Sequence, residues 1–376
     1  MKRYGDLFDK ICDIENLRKA HQNAKKGKGW YKEVIEIEKD PDKYLKELQE
    51  MFRNHTYHTS DYEVFYKREG DKVRKIYKLP YYPDRVAQWA ILQVIEPYLI
   101  KNLIADTYSA IPERGIHKGL HKLEYVMRHD VKGCQYCLKI DARHYYQSIN
   151  HDVLKAKYRR LFKDNDLLFL LDEIIDSINT IDEEDVCEIQ LAGQDYDPET
   201  GIPIGNYLSQ YSGNFYFSSF DHWMKETKHV KYYFRYMDDI VIFAETKEEL
   251  HRLHAEIEEY FRDNLKLRVK GNWAIFPTYV RGVDFLGYRV FKDYTLLRKN
   301  TCKKFKKKMT AIRTKVESGQ MMNYSEWCSI NSYHGWTKHC NSFRLCRKYY
   351  EPLVPYSNQY YETVIKPKSK KGKKAA

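Results

Sequence analysis

The sequence has no run of about 18 apolar residues, so it lacks a segment able to cross a bilayer as a helix. Its first residues, MKRYGDLFDKICDIENLRKA, contain no apolar signal core, and export is not expected. Paired cysteine motifs are missing as well. Eight cysteines are scattered over the chain, and the CxxC of Cys134 and Cys137 has no second pair to complete a zinc site. This pattern fits reduced thiols of a cytoplasmic protein better than a disulfide framework. No internal repeat is visible.

Positive charge and tyrosine are abundant. Lys and Arg outnumber Asp and Glu by 65 to 53, a formal charge of +12, and there are 34 tyrosines. With 43% hydrophobic residues, 376 positions suffice for two or three subdomains with their own cores. A basic surface attracts polyanions through counterion release. Aromatic rings among basic groups suit base stacking, although tyrosine also fills strands and cores.

Hydrophobic spacing places helices and strands along the chain. Tyr44, Leu45, Leu48 and Phe52 recur at helical spacing, after a basic loop holding Lys25, Lys26 and Lys28. Two strand-like runs flank Glu69-Gly70-Asp71, a hairpin signal. A helix opens at Pro83-Asp84, with Val86, Ala90, Val94 and Ile95 on one face. Asn150 is placed to cap a helix presenting Leu154, Tyr158 and Leu161. Residues 179–201 read as a polar loop or ribbon. They lead to a glycine turn and a helix with Tyr211, Phe215 and Trp223 inward. The stretch TKEELHRLHAEIEEYFRDNL is an amphipathic helix, RGVDFLGYRVF a short hairpin, and residues 300–356 are helical and basic. The terminal KPKSKKGKKAA is low-complexity and charged, so disorder is expected there.

The stretch KYYFRYMDDIVIFA sets Asp238 and Asp239 between two runs that favour buried strand. A buried unpaired charge costs several kcal/mol, so such a pair calls for a cation. Another strand, CLKID, ends in Asp141 about a hundred residues earlier. Neighbouring side chains on a strand diverge, so a tight turn is needed before Asp238 and Asp239 converge. If the two strands are sheet neighbours, three carboxylates meet, as two Mg²⁺ ions roughly 4 Å apart require. That points to metal-dependent phosphoryl or nucleotidyl transfer, without choosing the polymer.

At these residues the chain resembles reverse transcriptases. RYMDDIVIF is similar to their motif C, KIDARHYYQSINH to motif A, IPIGNYLSQ to motif B and FLGY to the primer-grip hairpin. Upstream, VRKIYKLPYYPDRVAQWAI and IEPYLIKNLIADTYSAIPERGIHKG resemble the fingers motifs. The likeness runs in order over residues 60 to 345, and this ordered set is more specific than any one motif.

The resemblance implies an α+β fold, a right-hand polymerase with fingers, palm and helical thumb. Residues 1–60 would be a helical N-terminal extension and 61–135 the fingers. The palm, an RRM-like antiparallel sheet with helices, would span 136–290, with a fingers segment inserted at about 152–200. The thumb would cover 291–356, and 357–376 would be a basic tail.

In this frame Asp141, Asp238 and Asp239 are the catalytic ligands of two Mg²⁺ ions, for which Mn²⁺ can substitute. Tyr146 is the gate that crowds a sugar 2′-OH, and Arg74 holds triphosphate. Gly205 allows close backbone approach to the nascent pair. Arg85 is either a phosphate contact or a structural partner of Asp84.

Departures from the common pattern are specific. Ile204 and Gln210 stand where most relatives carry Gln and Pro in motif B, as in reverse transcriptases of diversity-generating retroelements. YHGWTKHCNSFRLCRK is similar to that group's thumb. This subgroup copies a template-repeat RNA with errors at adenines, alongside a small basic helical accessory variability protein. Template RNA, cDNA/RNA hybrid and dNTPs are then the expected partners, in a bacterial or phage-encoded cytoplasmic protein with no membrane contact. Ile111 aligns with a basic fingers residue of relatives, leaving Arg114 as substitute, and Trp273 aligns with a motif D lysine, leaving Lys270 as general acid. Retron or group II intron-like enzymes would favour the Gln and Pro forms of motif B. A non-catalytic RNA-binding scaffold gains nothing from three converging carboxylates.

Overall fold

The computed structural model describes residues 3–69, 72–180 and 199–367. Strands among them are β1 (Glu63–Glu69), β2 (Lys72–Lys78), β3 (Thr107–Tyr108), β4 (Tyr136–Asp141), β5 (Tyr232–Tyr236), β6 (Asp239–Ala244), β7 (Ala274–Pro277), β8 (Val283–Phe285), β9 (Tyr288–Val290) and β10 (Thr295–Leu297). β3, β5, β6, β4 and β7 form one sheet in that order, with β3 parallel to β5. β5 and β6 are joined by the two-residue turn Met237-Asp238 and lie side by side, as the hairpin signal predicted. The run around the acidic pair is apolar because it is covered. Tyr233, Phe234, Ile240, Val241, Ile242, Leu138 and Ile140 are all buried.

β1 and β2 form the predicted hairpin, with Phe65 opposite Ile76 and Lys67 opposite Arg74. Gly70 and Asp71 of its turn lie outside the described residues, as do 181–198 of the polar stretch and 368–376 of the tail. β8, β9 and β10 make a separate three-stranded antiparallel sheet.

The chain divides into two compact units: Met1–Pro112, Lys139–Ile240 and His251–Ala274 in the first; Glu113–Leu138, Val241–Leu250 and Ile275–Ala376 in the second. In the first, helix Pro41–Arg53 starts on the Asp40 cap with Pro41 in its first turn, and buries Leu45, Leu48 and Phe52. Helix His151–Leu161 is capped by Asn150, whose side chain accepts from the Val153 N–H at 2.9 Å, and buries Leu154, Tyr158 and Leu161. Helix Tyr207–Tyr216 buries Tyr211 and Phe215, whereas Trp223 beyond it is only half-buried.

The helix expected from Pro83 differs. A kinked turn over Tyr81–Arg85, with Tyr82 extended (φ −120°, ψ 138°), precedes an α-helix over Val86–Lys101 that is buried on more than one face, through Ala87, Ala90, Ile91, Leu92, Ile95 and Leu99. Asp84 is fully buried and accepts from the Tyr57 hydroxyl at 3.0 Å and the Ser60 N–H at 3.1 Å. The reading of Arg85 as its structural partner is therefore corrected: Tyr57 and Ser60 hold that carboxylate.

In the second unit, helix Lys299–Glu317 buries Phe305, Met309, Ile312 and Val316 against Ile330, Leu353 and Tyr360. Helix Tyr324–Thr337 begins with a capping box of Asn323 and Glu326. Gly287 of FLGY has φ +83°, and a Cβ there would meet the Trp336 ring at 2.5 Å, so only glycine lets these segments approach. Helical structure continues beyond residue 356 through Val354–Tyr360 and a π-helical turn, Tyr361–Ile365, because Tyr360 is part of this core. Among the described residues no helix is long and apolar enough to cross a membrane.

Candidate active site

Asp141 ends β4, Asp238 sits in the turn after β5, and Asp239 opens β6. β4 and β6 are sheet neighbours, and the turn sets the Asp238 carboxyl group close to that of Asp141. Burial, then the neighbouring Asp141 carboxylate, then Asp239, raise the Asp238 pKa well above the usual carboxylate range, to about 7. Negative charge is thus concentrated beyond what these groups tolerate alone.

Two lysines flank the cluster. Lys139, two positions before Asp141 on β4, places its ammonium 3.2 Å from Asp239 Oδ1. Lys270 lies 3.8 Å from Asp141 Oδ2. A backbone clasp holds it there: the Arg143 N–H donates to the Arg268 carbonyl at 2.9 Å, and the Lys270 N–H to the Asp141 carbonyl at 2.8 Å. Trp273 packs instead on the His254 ring, with centroids 3.9 Å apart.

The expected three-carboxylate cage is met only in part. Asp141 and Asp238 come together while Asp239 leans on Lys139, and among the described residues no group of three or more His, Cys, Asp or Glu forms a ready cation cluster. The pair is split by the fold: Asp238 belongs to the turn and Asp239 to β6, where it pairs with Lys139 of the neighbouring strand. The donor set itself, hard carboxylate oxygens with an excess of charge, fits Mg²⁺ or Mn²⁺.

Tyr146 stands in the 3₁₀ turn after β4, its hydroxyl 3.8 Å from Met237 Sδ. Its ring lies along helix Tyr207–Tyr216, 3.6 Å from where a Cβ on Gly213 would be. Burial and then the Asp238 charge raise its pKa, against the opposing charge of Arg74. Arg74, in the middle of β2, therefore acts on the same locality.

Ile204 uses its carbonyl to accept from the Tyr77 N–H of β2 at 3.1 Å. Gly205 has φ +127°, and a Cβ on it would stand 2.9 Å from the Tyr77 carbonyl. Glycine is what allows motif B to abut the β1–β2 hairpin. Gln210 is exposed on the following helix. Arg114 belongs to the second unit, whereas the other site residues named here belong to the first.

Sequence reasoning missed the group that anchors the turn. Arg235 and Asp221 are both fully buried. All five guanidinium N–H groups are used. Nε donates to Asp221 Oδ1 at 2.7 Å, and Nη2 to Asp221 Oδ2 and the Asn214 carbonyl. Nη1 donates to Asn214 Oδ1 at 3.2 Å and to the Met237 carbonyl at 3.0 Å. Asp221 also accepts from the Tyr233 and Thr107 hydroxyls. Burial opposes the Arg235 charge, but Asp221 more than offsets it and the pKa is raised. Met237 sits at φ +54°, a conformation unusual outside glycine, with its carbonyl held by this arginine. The available signal was a charged residue inside the apolar run YYFRY.

Comparison with known proteins follows the same line. A family profile described as "Reverse transcriptase (RNA-dependent DNA polymerase)" matches residues 66–290. Protein YkfC of Escherichia coli (strain K12) is 22% identical over 303 residues, covering 69% of this chain and 76% of that protein. Apo telomerase from Candida tropicalis superposes with a TM-score of 0.47 at 14% identity, covering 83% of this chain and 59% of that one. Telomerase from the same organism in complex with a TWJ fragment of telomeric RNA gives 0.49 at 12% identity, covering 88% and 59%. The chain thus spans 59% of the length of these two telomerase chains.

Proposed function

Since the chain belongs to the reverse transcriptase (RNA-dependent DNA polymerase) family, we propose that it makes error-prone cDNA from a template-repeat RNA of a diversity-generating retroelement. The observation that carries the catalytic reading is the meeting of Asp141 and Asp238 at the ends of neighbouring strands, with Asp239 next in line. These three carboxylates would hold two Mg²⁺ ions, which supply activation of the primer hydroxyl and neutralisation of the leaving pyrophosphate.

The chain's own residues do the rest. Arg74 pairs with the triphosphate, and the Tyr146 ring blocks a 2′-OH. Lys270, held beside Asp141, gives a proton to the departing pyrophosphate. Gly205 lets motif B backbone lie against the new pair, and Gln210 completes the nucleotide contacts. The retroelement subtype is supported by Ile204, which presents a branched apolar side chain where an amide would hold template and substrate in register. A small basic helical accessory protein is the partner this subtype brings. In the same reading 61–135 are fingers, 136–290 palm and 291–356 thumb, the last continuing to Ile365.

The deciding experiment is Mg²⁺-dependent dNTP incorporation on an RNA template by the Asp238→Ala, Asp239→Ala double variant. Incorporation falls to background; undiminished activity overturns the polymerase reading. For the subtype, Ile204→Gln lowers misincorporation opposite template adenines several-fold, the effect of about 1 kcal/mol. An unchanged error spectrum removes Ile204 as the cause of infidelity.

A further inference from the structure

We propose that Lys139 is a positioning residue, a tethered counter-ion that withholds Asp239 from the metal centre until a nucleotide arrives, so that the nucleotide-free enzyme loads one divalent ion rather than two. The proposal rests on the two-ion reading above and adds to it a residue that decides when the third carboxylate becomes available.

The placement follows from the strand. Leu138 and Ile140 of β4 are buried, while Lys139 and Asp141, two positions apart, share the opposite, half-buried face. β4 thus directs a positive charge onto the same face as its own acidic residue, beside β6. The ammonium stands 3.2 Å from Asp239 Oδ1 and 3.3 Å from Oδ2, so it spans both oxygens. Oδ1 is shut off from solvent. The two side chains are only 25% and 28% exposed, and salt screens such a pair less than one on the open surface. Lys270 is looser: it lies 3.8 Å from Asp141 Oδ2, beyond hydrogen-bonding distance.

A hard cation takes carboxylate oxygens as ligands. Both oxygens of Asp239 already meet an ammonium, so an ion can use them only after Lys139 has moved. Asp141 and Asp238 lie close together without a lysine in hydrogen-bonding contact. The cluster is therefore divided into two carboxylates open to one ion and a third held in reserve. This division accounts for the absence, among the described residues, of three acidic side chains gathered as a ready cation site. The triphosphate of an incoming nucleotide brings several negative charges and competes with Asp239 for the ammonium. A lysine that only balanced charge would stabilise the fold without changing how many ions bind.

Mn²⁺ binding to the full chain is measured without nucleotide, by electron paramagnetic resonance of the free ion. Wild type binds one Mn²⁺ per chain. Lys139→Met binds a second ion about tenfold more tightly than wild type does, equivalent to about 1.4 kcal/mol. Lys139→Arg, whose fork also spans a carboxylate, keeps the wild-type count. Asp239→Asn alone changes binding by less than about twofold, because that carboxylate is already occupied, yet it abolishes the gain in Lys139→Met. With a non-hydrolysable dNTP analogue present, wild type and Lys139→Met bind equal numbers of ions. Thermal melting in EDTA checks folding, and Lys139→Gln takes the place of the methionine variant if that one does not melt cooperatively. Equal counts for wild type and Lys139→Met without nucleotide overturn the proposal. So does a gain that survives Asp239→Asn, the mark of a general charge effect, or a difference that persists with the analogue. Failure of the metal-centre reading is distinct: Mn²⁺ binding is then indifferent to Asp141→Asn as well, and the proposal falls with it.

Discussion

Replacing Arg235 tests how the catalytic turn is held. Its five N–H groups reach Asp221 twice, Asn214 twice and the Met237 carbonyl once, all in a fully buried setting. Arg235→Leu strands the Asp221 carboxylate in the interior, and loss of one partner of a buried pair costs about 3–5 kcal/mol. Arg235→Lys keeps the charge but offers three donors from one point, so at least two of the five bonds go unmade, for about 1–3 kcal/mol. Chemical denaturation reads both. The second effect concerns position: without the Met237 contact the turn carrying Asp238 loses its clamp, and kcat falls more than the dNTP KM changes. Arg235→Leu combined with Asp221→Leu separates the two effects. It removes both charges, so stability recovers in part, while the turn stays unclamped and kcat stays low. The reasoning is refuted if Arg235→Lys matches wild type in denaturation midpoint and kcat, or if the double variant regains activity.

Three further outcomes are expected. Gly205→Ala forces a Cβ into a φ of +127°, 2.9 Å from the Tyr77 carbonyl; denaturation should show a loss of about 1–3 kcal/mol, and the dNTP KM should rise. Asp238 binds its proton more tightly folded than unfolded, so in EDTA its own contribution to stability is fully present below about pH 4 and is lost as pH rises through about 7. Thermal melts should show this decline, Asp238→Asn should flatten it, and added Mg²⁺ should raise the melting temperature more at pH 8 than at pH 5. Tyr146→Ala opens the space between the Gly213 backbone and Met237; the ratio of kcat/KM for dNTP over rNTP should fall by tenfold or more, and an unchanged ratio would deny Tyr146 the gate role.

Much of this molecule was legible before its folding was known. Alternation and spacing located the β1–β2 hairpin, the strands on either side of Met237-Asp238, and the Asn150 cap, because period and capping chemistry are local properties. Local reasoning also identified Asp141, Asp238 and Asp239 as charges misplaced in apolar strands. Of its two readings of Arg85, the structural pairing with Asp84 does not hold, because the hydrogen bonds to that carboxylate come from Tyr57 and Ser60 on Oδ1. It set the end of the terminal helices too early, because Tyr360 is ordered by a core its own neighbourhood does not announce.

Residue type and spacing by themselves pointed to the acidic chemistry, and the ordered motifs over residues 60 to 345 carried the resemblance to the family. Tertiary structure alone decided that β4 lies beside β6, that Lys139 pairs with Asp239, and that Arg235 divides its five donors among Asp221, Asn214 and the Met237 carbonyl of the turn. The physical reason is range: propensity and periodicity act over a few residues, whereas burial, ion pairing and hydrogen-bond satisfaction are settled between segments a hundred or more positions apart.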